Sequence, residues 1–337
     1  DKGGELGEVP GLLALRKGRA RRLSPKAVSD TEGLPPFGRD VFDNPRYERE
    51  GAMVGLETKR GCPERCAFCA DPVAKGRRVR PRPPKAVADE VESLARQGVT
   101  NLHLCDSEFN IPIGHAKEVC RELIRRGLGK RVRWFCYCSP VPFDRELARL
   151  MREAGCAGIN FGVDSLDDGQ LRRLGRGHTF EDVKALVSIL RSEGLNFMFD
   201  LLIGAPGETP ETARLTIERA KVVDVPVVGV AVGVRLYPGT PLGRAALEGR
   251  LDDGLHPEGA RDLSEPVFYC SPALGEDPFS LVSEFVSGDP RFLLLAGPAE
   301  EGTYNYADDE WLLRAIEEGE RGAYWDIIRR RLIEPQR

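Results

Sequence analysis

The sequence lacks long apolar runs and any excess of charge of one sign. No stretch approaches the ~18 consecutive apolar residues of a transmembrane helix, so no membrane span is predicted. The 49 Lys and Arg residues are balanced by 53 Asp and Glu residues, for a net charge of -4. Because this balance leaves no dominant basic surface, no nucleic-acid partner is predicted.

The nine cysteines lack the pattern of a disulfide framework. Their number is odd and their spacing irregular, whereas disulfide-stabilised secreted domains are shorter and denser in cysteine. A reducing cytosol with a metal or cluster site fits better, so a cytoplasmic protein is predicted. The chain also begins with Asp rather than Met. Its opening residues resemble the middle of a protein, and we therefore expect a fragment or a processed product.

From residue 53 onward, strand-like apolar runs alternate with helix-like amphipathic segments. The predicted strands are Met53–Lys59, Val99–Cys105, Val132–Cys138, Ala157–Asp164, Leu195–Ile203 and Val227–Leu236. The predicted helices between them are Pro84–Gln97, His115–Arg126, Asp144–Ala154, Thr179–Glu193 and Thr209–Val222. This alternation is typical of βαβ units in a parallel sheet. It predicts an α/β fold, a partial (β/α)6 TIM-like barrel.

The alternation of side chains along the strands predicts a hollow barrel. In the strand at 157–164, Ile159, Phe161 and Val163 alternate with glycine, Asn and Asp residues, and the strands at 195–203 and 227–236 alternate similarly. A solid barrel would carry branched apolar residues on its inner face, whereas a small and polar face suits a lumen that holds ligands. The polar candidates for this lumen are His103, Asp200, Arg235 and Tyr237.

The segments that flank the predicted barrel differ from it. Residues 1–52 are rich in Pro, Gly and charge without periodicity, as expected of a linker arm. The barrel is assigned to 53–248, and 249–337 is predicted to be a mainly helical extension that caps it. The helices predicted in this extension are Phe279–Val286, Asp308–Glu318 and Tyr324–Leu332. No further strand–helix unit is predicted there.

Three cysteines, Cys62, Cys66 and Cys69, stand at C-x3-C-x2-C spacing directly after the first predicted strand. Three thiolates on one loop can bind three irons of a four-iron cluster and leave the fourth iron open. Structural zinc is the alternative, but it prefers four ligands in paired clusters, and no second C-x2-C follows. His103 or Cys105 could in principle supply a fourth zinc ligand.

This spacing after a strand resembles the radical S-adenosylmethionine (radical SAM) superfamily, and the resemblance extends over 55–242. It implies that the three cysteines bind a [4Fe-4S] cluster whose open iron binds SAM. The SAM-binding residues that it implies are Phe68, Ser107, Glu108, Ser139, Asp164, Arg176 and Gly204.

The resemblance assigns roles to most of these residues. Asp164, in Asn-Phe-Gly-Val-Asp-Ser, would accept hydrogen bonds from the ribose hydroxyls, although the family's acid is one methylene longer. Arg176 would reach the SAM carboxylate, and Gly204 would let the backbone approach the adenine. Glu108 would bind the amino group, although the family's glycines are missing from that stretch. Phe68 would shield the cluster.

The arm carries a second resemblance. Val-Pro-Gly-Leu-Leu-Ala-Leu-Arg-Lys-Gly-Arg and Leu-Pro-Pro-Phe-Gly-Arg-Asp-Val-Phe-Asp resemble the connector that precedes the barrel in the cobalamin-dependent branch. No D-x-H-x-x-G pattern for ligating cobalamin occurs in this chain. If cobalamin is used, we therefore expect its main binding domain to lie outside the chain.

The implied activity is reductive cleavage of SAM to a 5′-deoxyadenosyl radical, most specifically for cobalamin-dependent methylation of an unreactive carbon. The implied partners are a small-molecule or peptide substrate and an electron donor such as a flavodoxin or ferredoxin. Two alternatives stay open. One is a cobalamin-independent radical SAM enzyme that forms thioethers, rearranges or oxidises its substrate, and the other is a non-enzymatic zinc protein.

Further predictions concern two histidines, a helix cap and the cysteines outside the loop. His103 and His178 are the expected titrating groups near the barrel mouth. Thr209 is expected to cap the helix that follows it. The cysteines outside the loop fall into three groups: Cys120 and Cys156 as buried apolar groups, Cys105, Cys136 and Cys138 near the barrel top, and Cys270 in the cap.

Overall fold

The computed structural model describes residues 13–16, 19–22, 38–260, 262–295 and 310–333. The strands are β1 (Leu13–Arg16), β2 (Arg19–Arg22), β3 (Val54–Leu56), β4 (Lys59–Arg60), β5 (Arg80–Pro81), β6 (Asn101–Leu104), β7 (Arg133–Cys138), β8 (Cys156–Asp164), β9 (Phe197–Ile203), β10 (Val228–Val232), β11 (Val234–Leu236), β12 (Leu255–His256), β13 (Val267–Tyr269) and β14 (Phe292–Leu295). The helices are α1 (Asn44–Arg49), α2 (Asp71–Ala74), α3 (Pro84–Arg96), α4 (Ile113–Arg125), α5 (Arg145–Glu153), α6 (Asp168–Leu174), α7 (Phe180–Glu193), α8 (Pro210–Val222), α9 (Pro241–Leu247), α10 (Pro278–Val286), α11 (Glu310–Glu317) and α12 (Tyr324–Ile328). No helix among these residues is long and apolar enough to cross a bilayer.

The central sheet has seven strands in the order β14-β10-β9-β8-β7-β6-β3, and every neighbouring pair is parallel. Six of these strands follow one another along the chain, joined by helices, as βαβ units require. The predicted partial barrel and the five helices between its strands are confirmed, and each of the six predicted strands contributes a strand to this sheet. The long periodic segments were predictable because their apolar faces repeat at the helical or strand period.

Two sequence expectations about the sheet are wrong. The tail does contain another strand–helix unit, because α10 leads into β14, which pairs with β10 as the seventh strand. The run 227–236 is also not one strand. Gly233 has φ +91° and breaks it, so that β11 leaves the barrel and pairs with β13 in a small antiparallel sheet. Outside the barrel, β1 and β2 form an antiparallel hairpin inside the predicted linker arm.

The main core lies between the sheet and the outer helices. Trp134, Phe161 and Phe199 are completely buried there, and burial of each such side chain contributes roughly 1.5–3 kcal/mol. Cys136 and Cys138 belong to this core with Cys120, so the outer face of β7 is the one that carries Trp134. The opposite face of β7, with Phe135 and Tyr137, lines the lumen.

The amino-terminal end of the barrel has a separate apolar floor formed by Phe135, Met198, Val227, Ala323 and Trp325. The Phe135 and Trp325 rings meet edge to face, with centroids 6.1 Å apart. Residue 158 must be glycine at this point, because a Cβ there would lie 2.6 Å from the indole. The helix α12 therefore closes the bottom of the lumen.

Candidate functional site

Backbone hydrogen bonds hold the cysteine loop from three directions. The Cys62 amide donates to Gly76 O (3.0 Å), and the Ala67 amide donates to Leu174 O (2.8 Å). The Leu242 amide in turn donates to Ala67 O (3.0 Å). Gly61 precedes the loop with φ +104°, and a Cβ there would lie 2.2 Å from a backbone oxygen, so only glycine fits.

The three thiols of the loop are free and largely buried. Burial raises the pKa of Cys62 to about 12 and that of Cys66 to about 11, and it also raises the pKa of Cys69. Metal ligation requires thiolates, so a bound metal group must supply the positive charge that ionises them. Within the described ranges, no three His, Cys, Asp or Glu side chains converge on one ion position.

A buried ion pair fixes the strand ends beneath the loop. Lys59 Nζ lies 2.8 Å from Asp106 Oδ2 and also donates to Phe109 O (2.7 Å). The Asp106 carboxylate accepts further hydrogen bonds from the Thr58 amide (2.7 Å), the Thr58 hydroxyl (2.5 Å) and the Lys59 amide (3.2 Å). This network joins the chain after β3 to the end of β6, and it sets where the cysteine loop begins.

Arg176 joins the cysteine loop to the end of β8. It follows the end of α6, where Gly175 adopts φ +73°. Its Nη1 donates to Cys66 Sγ (2.9 Å), its Nη2 donates to Gly162 O, and its Nε lies 3.0 Å from Asp164 Oδ2. Burial lowers the pKa of Arg176, but Asp164, Cys66 and Glu108 together raise it further, so the guanidinium stays charged.

The mouth of the barrel contains buried polar atoms that have no hydrogen-bond partner among the described residues. They are Glu108 Oε2, Asp164 Oδ2 and Arg176 Nε. The 3.0 Å approach of Nε to Oδ2 is an ion pair without hydrogen-bond alignment. Burial raises the pKa of Glu108 to about 8, and it raises that of Asp164 although Arg176 opposes this. Buried groups left unpaired in this way point to a polar ligand.

The other predicted site residues lie around the same mouth. Phe68 packs against the apolar cluster that contains Leu174 and Ala205. The Ser107 hydroxyl donates to Asp71 Oδ2. The Ser139 amide donates to the side chain of Asn110 (3.0 Å), whose amide nitrogen donates back to Ser139 O (2.8 Å). Sequence reasoning missed Asn110, although the polar run after β6 contains it.

Gly204 lies where the carboxy-terminal tail meets the mouth. It has φ +98°, and a Cβ there would lie 2.7 Å from Cys270 Sγ. The Ser271 amide donates to Gly204 O (2.8 Å). The packing of Cys270 is thus one physical reason for glycine at 204. In the same turn Thr209 caps α8 by accepting from the Thr212 amide, so the predicted cap is confirmed.

A cavity of about 590 Å³ occupies the lumen between the mouth and the floor. Its polar lining comes from His103, Tyr137, Asn160 and Asp200, and its apolar lining includes Phe135, Met198 and Trp325. The predicted lumen positions of Arg235 and Tyr237 are wrong. Because the chain leaves the barrel at Gly233, Arg235 is exposed, with its guanidinium 5.0 Å from the centroid of the Tyr237 ring.

Both histidines that were expected to titrate near the mouth have lowered pKa values. Burial and the nearby Arg176 lower the pKa of His178 to about 4, and its Nε2 lies 3.2 Å from Val163 O. Burial also lowers the pKa of His103, whose ring meets Tyr137 edge on at 5.3 Å. Burial thus favours the neutral form of both imidazoles.

A partial (β/α) barrel with three thiols on the loop after its first strand defines a radical SAM domain. The family model described as the Radical SAM superfamily matches residues 56–220. Tryptophan 2-C-methyltransferase from Streptomyces laurentii is 36% identical over 291 residues, which cover 80% of this chain and 48% of that protein. This chain thus spans about half the length of that relative.

Comparison with solved structures supports the same family assignment. The radical S-adenosylmethionine methyltransferase TsrM from Kitasatospora setae, with tryptophan and a SAM analog bound, matches with a TM-score of 0.82 and 30% identity. The match covers 97% of this chain and 71% of that chain. The cobalamin-dependent enzyme OxsB, at 17% identity and a TM-score of 0.66 over 98% of this chain and 56% of that one, shows the shared fold alone. The chain belongs to the radical SAM superfamily, whose cofactors are a [4Fe-4S] cluster and SAM.

Proposed function

We propose that this chain is the catalytic barrel of a cobalamin-dependent radical SAM enzyme that methylates an unreactive carbon of a small aromatic molecule. The observation that carries the proposal is the match of 97% of the chain to a methyltransferase structure with tryptophan bound. The 36% identity to a tryptophan 2-C-methyltransferase supports it. No observation favours a cobalamin-independent reaction or a zinc protein.

The donor set at the mouth fits the cofactors. Cys62, Cys66 and Cys69 would bind the cluster, and the buried polar atoms of Glu108, Asp164 and Arg176 would meet SAM. The residues that would complete the SAM pocket are Phe68, Ser107, Ser139 and Gly204. When bound, the cluster supplies an electron and a site for SAM, SAM supplies a methyl group or a 5′-deoxyadenosyl radical, and cobalamin carries methyl groups.

The chain's own residues supply charge and exclude water. The Arg176 guanidinium lies 2.9 Å from Cys66 Sγ, where a hydrogen bond and a positive charge would stabilise added negative charge on a sulfur-ligated centre. The mouth keeps Cys62 and Cys66 buried, which limits the access of water to a reactive centre. Asp164 is held next to Arg176 with one oxygen available for a hydroxyl donor.

The lumen fits a substrate with a flat ring and a polar end. Its floor is aromatic and apolar, and polar groups line the wall between floor and mouth. A volume of about 590 Å³ falls within the roughly 300–1,000 Å³ of small-molecule pockets. We further propose that a flavodoxin- or ferredoxin-type protein supplies the electron and that the enzyme works in the cytoplasm.

The test is transfer of a labelled methyl group. The protein encoded by the full open reading frame is reconstituted anaerobically and incubated with cobalamin, a reductant, SAM that carries a trideuterated methyl group, and tryptophan, and the product is analysed by mass spectrometry. We expect a trideuteromethyl group on a ring carbon, dependent on added cobalamin. Cys66→Ala should lose both the product and the iron–sulfur absorbance near ~400 nm. Product formed equally well without cobalamin, or no labelled product, would refute the proposal.

A further inference from the structure

Asp200 lies at the centre of the lumen wall. It stands in the middle of β9, where its register partners are Gly162 on β8 and Gly229 on β10. The glycines leave space for its carboxyl group, since a Cβ on Gly229 would lie 2.8 Å from Asp200 Oδ1. Its side chain lines the cavity together with Asn160 and Met198. The backbone around Asp200 thus accommodates an acid that faces the lumen.

This acid has no counter-charge among the residues that the structure describes. Within the described part of the chain, no Lys or Arg side chain forms an ion pair with it, and the charged group that acts on its pKa is another acid, Asp164. Burial raises its pKa to about 7, and a hydrogen bond with Asn160 opposes this rise. The other titratable side chains that line the cavity are those of His103, Cys105, Cys136, Tyr137 and Tyr324, and burial lowers the pKa of His103. A buried carboxylate without a cation is costly, and a cationic ligand would offset that cost.

The apolar floor lies one layer below Asp200. Met198 is two residues earlier on the same face of β9, and it packs with Phe135 and Trp325. A ligand that places a ring on this floor presents its next substituent at the height of Asp200. The cavity therefore combines an aromatic subsite with a single uncompensated negative charge.

We propose that Asp200 is the substrate-anchoring residue, whose carboxylate pairs with the α-ammonium group of an aromatic amino acid while the ring rests on the floor of Phe135, Met198 and Trp325. This rests on the proposed function in so far as the substrate occupies the lumen. A neutral ring N–H could reach the same oxygen, but it would leave the negative charge uncompensated. Asp200 then selects free aromatic amino acids over analogues that lack the amine.

Binding measurements on the cluster-loaded protein test this proposal. The ligands are L-tryptophan and indole-3-propionate, which lacks the amine, and the variants are Asp200→Asn and the exposed outer-helix control Asp89→Asn. We expect Asp200→Asn to weaken tryptophan binding at least about 30-fold, because a buried charge pair loses one partner. Binding of indole-3-propionate should stay unchanged or tighten. Asp89→Asn should behave like the wild type.

Gly229→Ala is the second variant, because it displaces the carboxyl group and keeps its charge. We expect it to weaken tryptophan binding with far-UV circular dichroism and cluster absorbance retained. Titration calorimetry of the wild type at pH 7 in buffers of different ionisation enthalpy should show release of roughly half a proton, as a group of pKa near 7 becomes fully ionised. Asp200→Asn should show no such release.

Three outcomes would overturn the proposed role of Asp200. The first is unchanged tryptophan affinity in both Asp200→Asn and Gly229→Ala, and the second is an equal loss of affinity for tryptophan and indole-3-propionate. The third is that the wild type binds neither ligand. The methyl-transfer assay tests the proposed function independently of the proposed role of Asp200. A protein that binds tryptophan through Asp200 and forms no labelled product refutes the proposed function alone. A protein that forms labelled product with unchanged affinity in both variants refutes the anchor alone.

Discussion

Two buried ion pairs flank the cysteine loop, and they differ in how fully their atoms are hydrogen-bonded. In the first pair, Asp106 accepts four hydrogen bonds from Thr58 and Lys59, and the Lys59 ammonium also bonds to a backbone carbonyl. In the second pair, Asp164 Oδ2 and Arg176 Nε approach to 3.0 Å but neither atom makes a hydrogen bond.

The difference separates a structural pair from a ligand-binding pair. A buried charge pair repays its desolvation only when further hydrogen bonds satisfy both ions, as they do around Asp106. The Asp164–Arg176 pair retains donor and acceptor capacity, and it lies beside Cys66. Its incomplete bonding is what a site that later receives a polar cofactor requires.

The largest expected effect is on stability at the complete pair. Asp106→Ala leaves the Lys59 ammonium buried without its partner, and we expect the free energy of unfolding to fall by about 3–5 kcal/mol. Urea denaturation of the cluster-free protein under reducing conditions measures this. Asp89→Ala, which removes an exposed partner of Arg126, should cost about 1 kcal/mol or less. Similar losses of unfolding free energy in the two variants would contradict the structural role of the Lys59–Asp106 pair.

The next effect concerns ligand affinity at the incomplete pair. Asp164→Asn keeps the shape of the side chain but removes the charged acceptor, so we expect SAM binding to weaken by about 10–100-fold. Its effect on the free energy of unfolding should be much smaller than that of Asp106→Ala. Equilibrium dialysis with the cluster-loaded protein gives the affinity. Full SAM affinity together with a large stability loss would make Asp164–Arg176 a second structural pair.

The smallest expected effect concerns Glu208. Unlike Asp106 and Asp164, this buried acid has no ion-pair partner among the described residues. Glu208 is fully buried, accepts a hydrogen bond from the Thr212 hydroxyl (2.5 Å) and has a second oxygen without a partner, and burial raises its pKa to about 7. The folded state therefore holds a proton that the unfolded state releases near pH 4.5, so stability falls as the pH rises from about 5 to 7. Glu208→Gln should remove about 2 kcal/mol of this pH dependence, since one pKa unit is about 1.4 kcal/mol. Parallel curves of stability against pH for Glu208→Gln and the wild type would contradict a raised pKa of Glu208.

Local patterns made much of the fold and part of the site predictable. The strand and helix periods located the six barrel units, and the spacing of Cys62, Cys66 and Cys69 located the loop. The seventh strand was not predictable, because a four-residue apolar run does not reveal its partner strand. The end of the sixth strand at Gly233 was not predictable either, because a single glycine within an apolar run does not by itself indicate a break. Arg235 was placed in the lumen on strand parity that holds only while the strand continues.

The sequence by itself determined that three thiols share a loop after a strand and that small and polar residues face a hollow barrel, because both depend on spacing along the chain. Only the tertiary structure decided which charges meet. Cys66 is distant in sequence from both Asp164 and Arg176, and their contacts arise from the curvature of the sheet and the positive φ values of Asp164 (62°) and Gly175 (73°). Asp200 became a candidate anchor for the same reason, because only the fold shows that none of the described residues places a cation beside it.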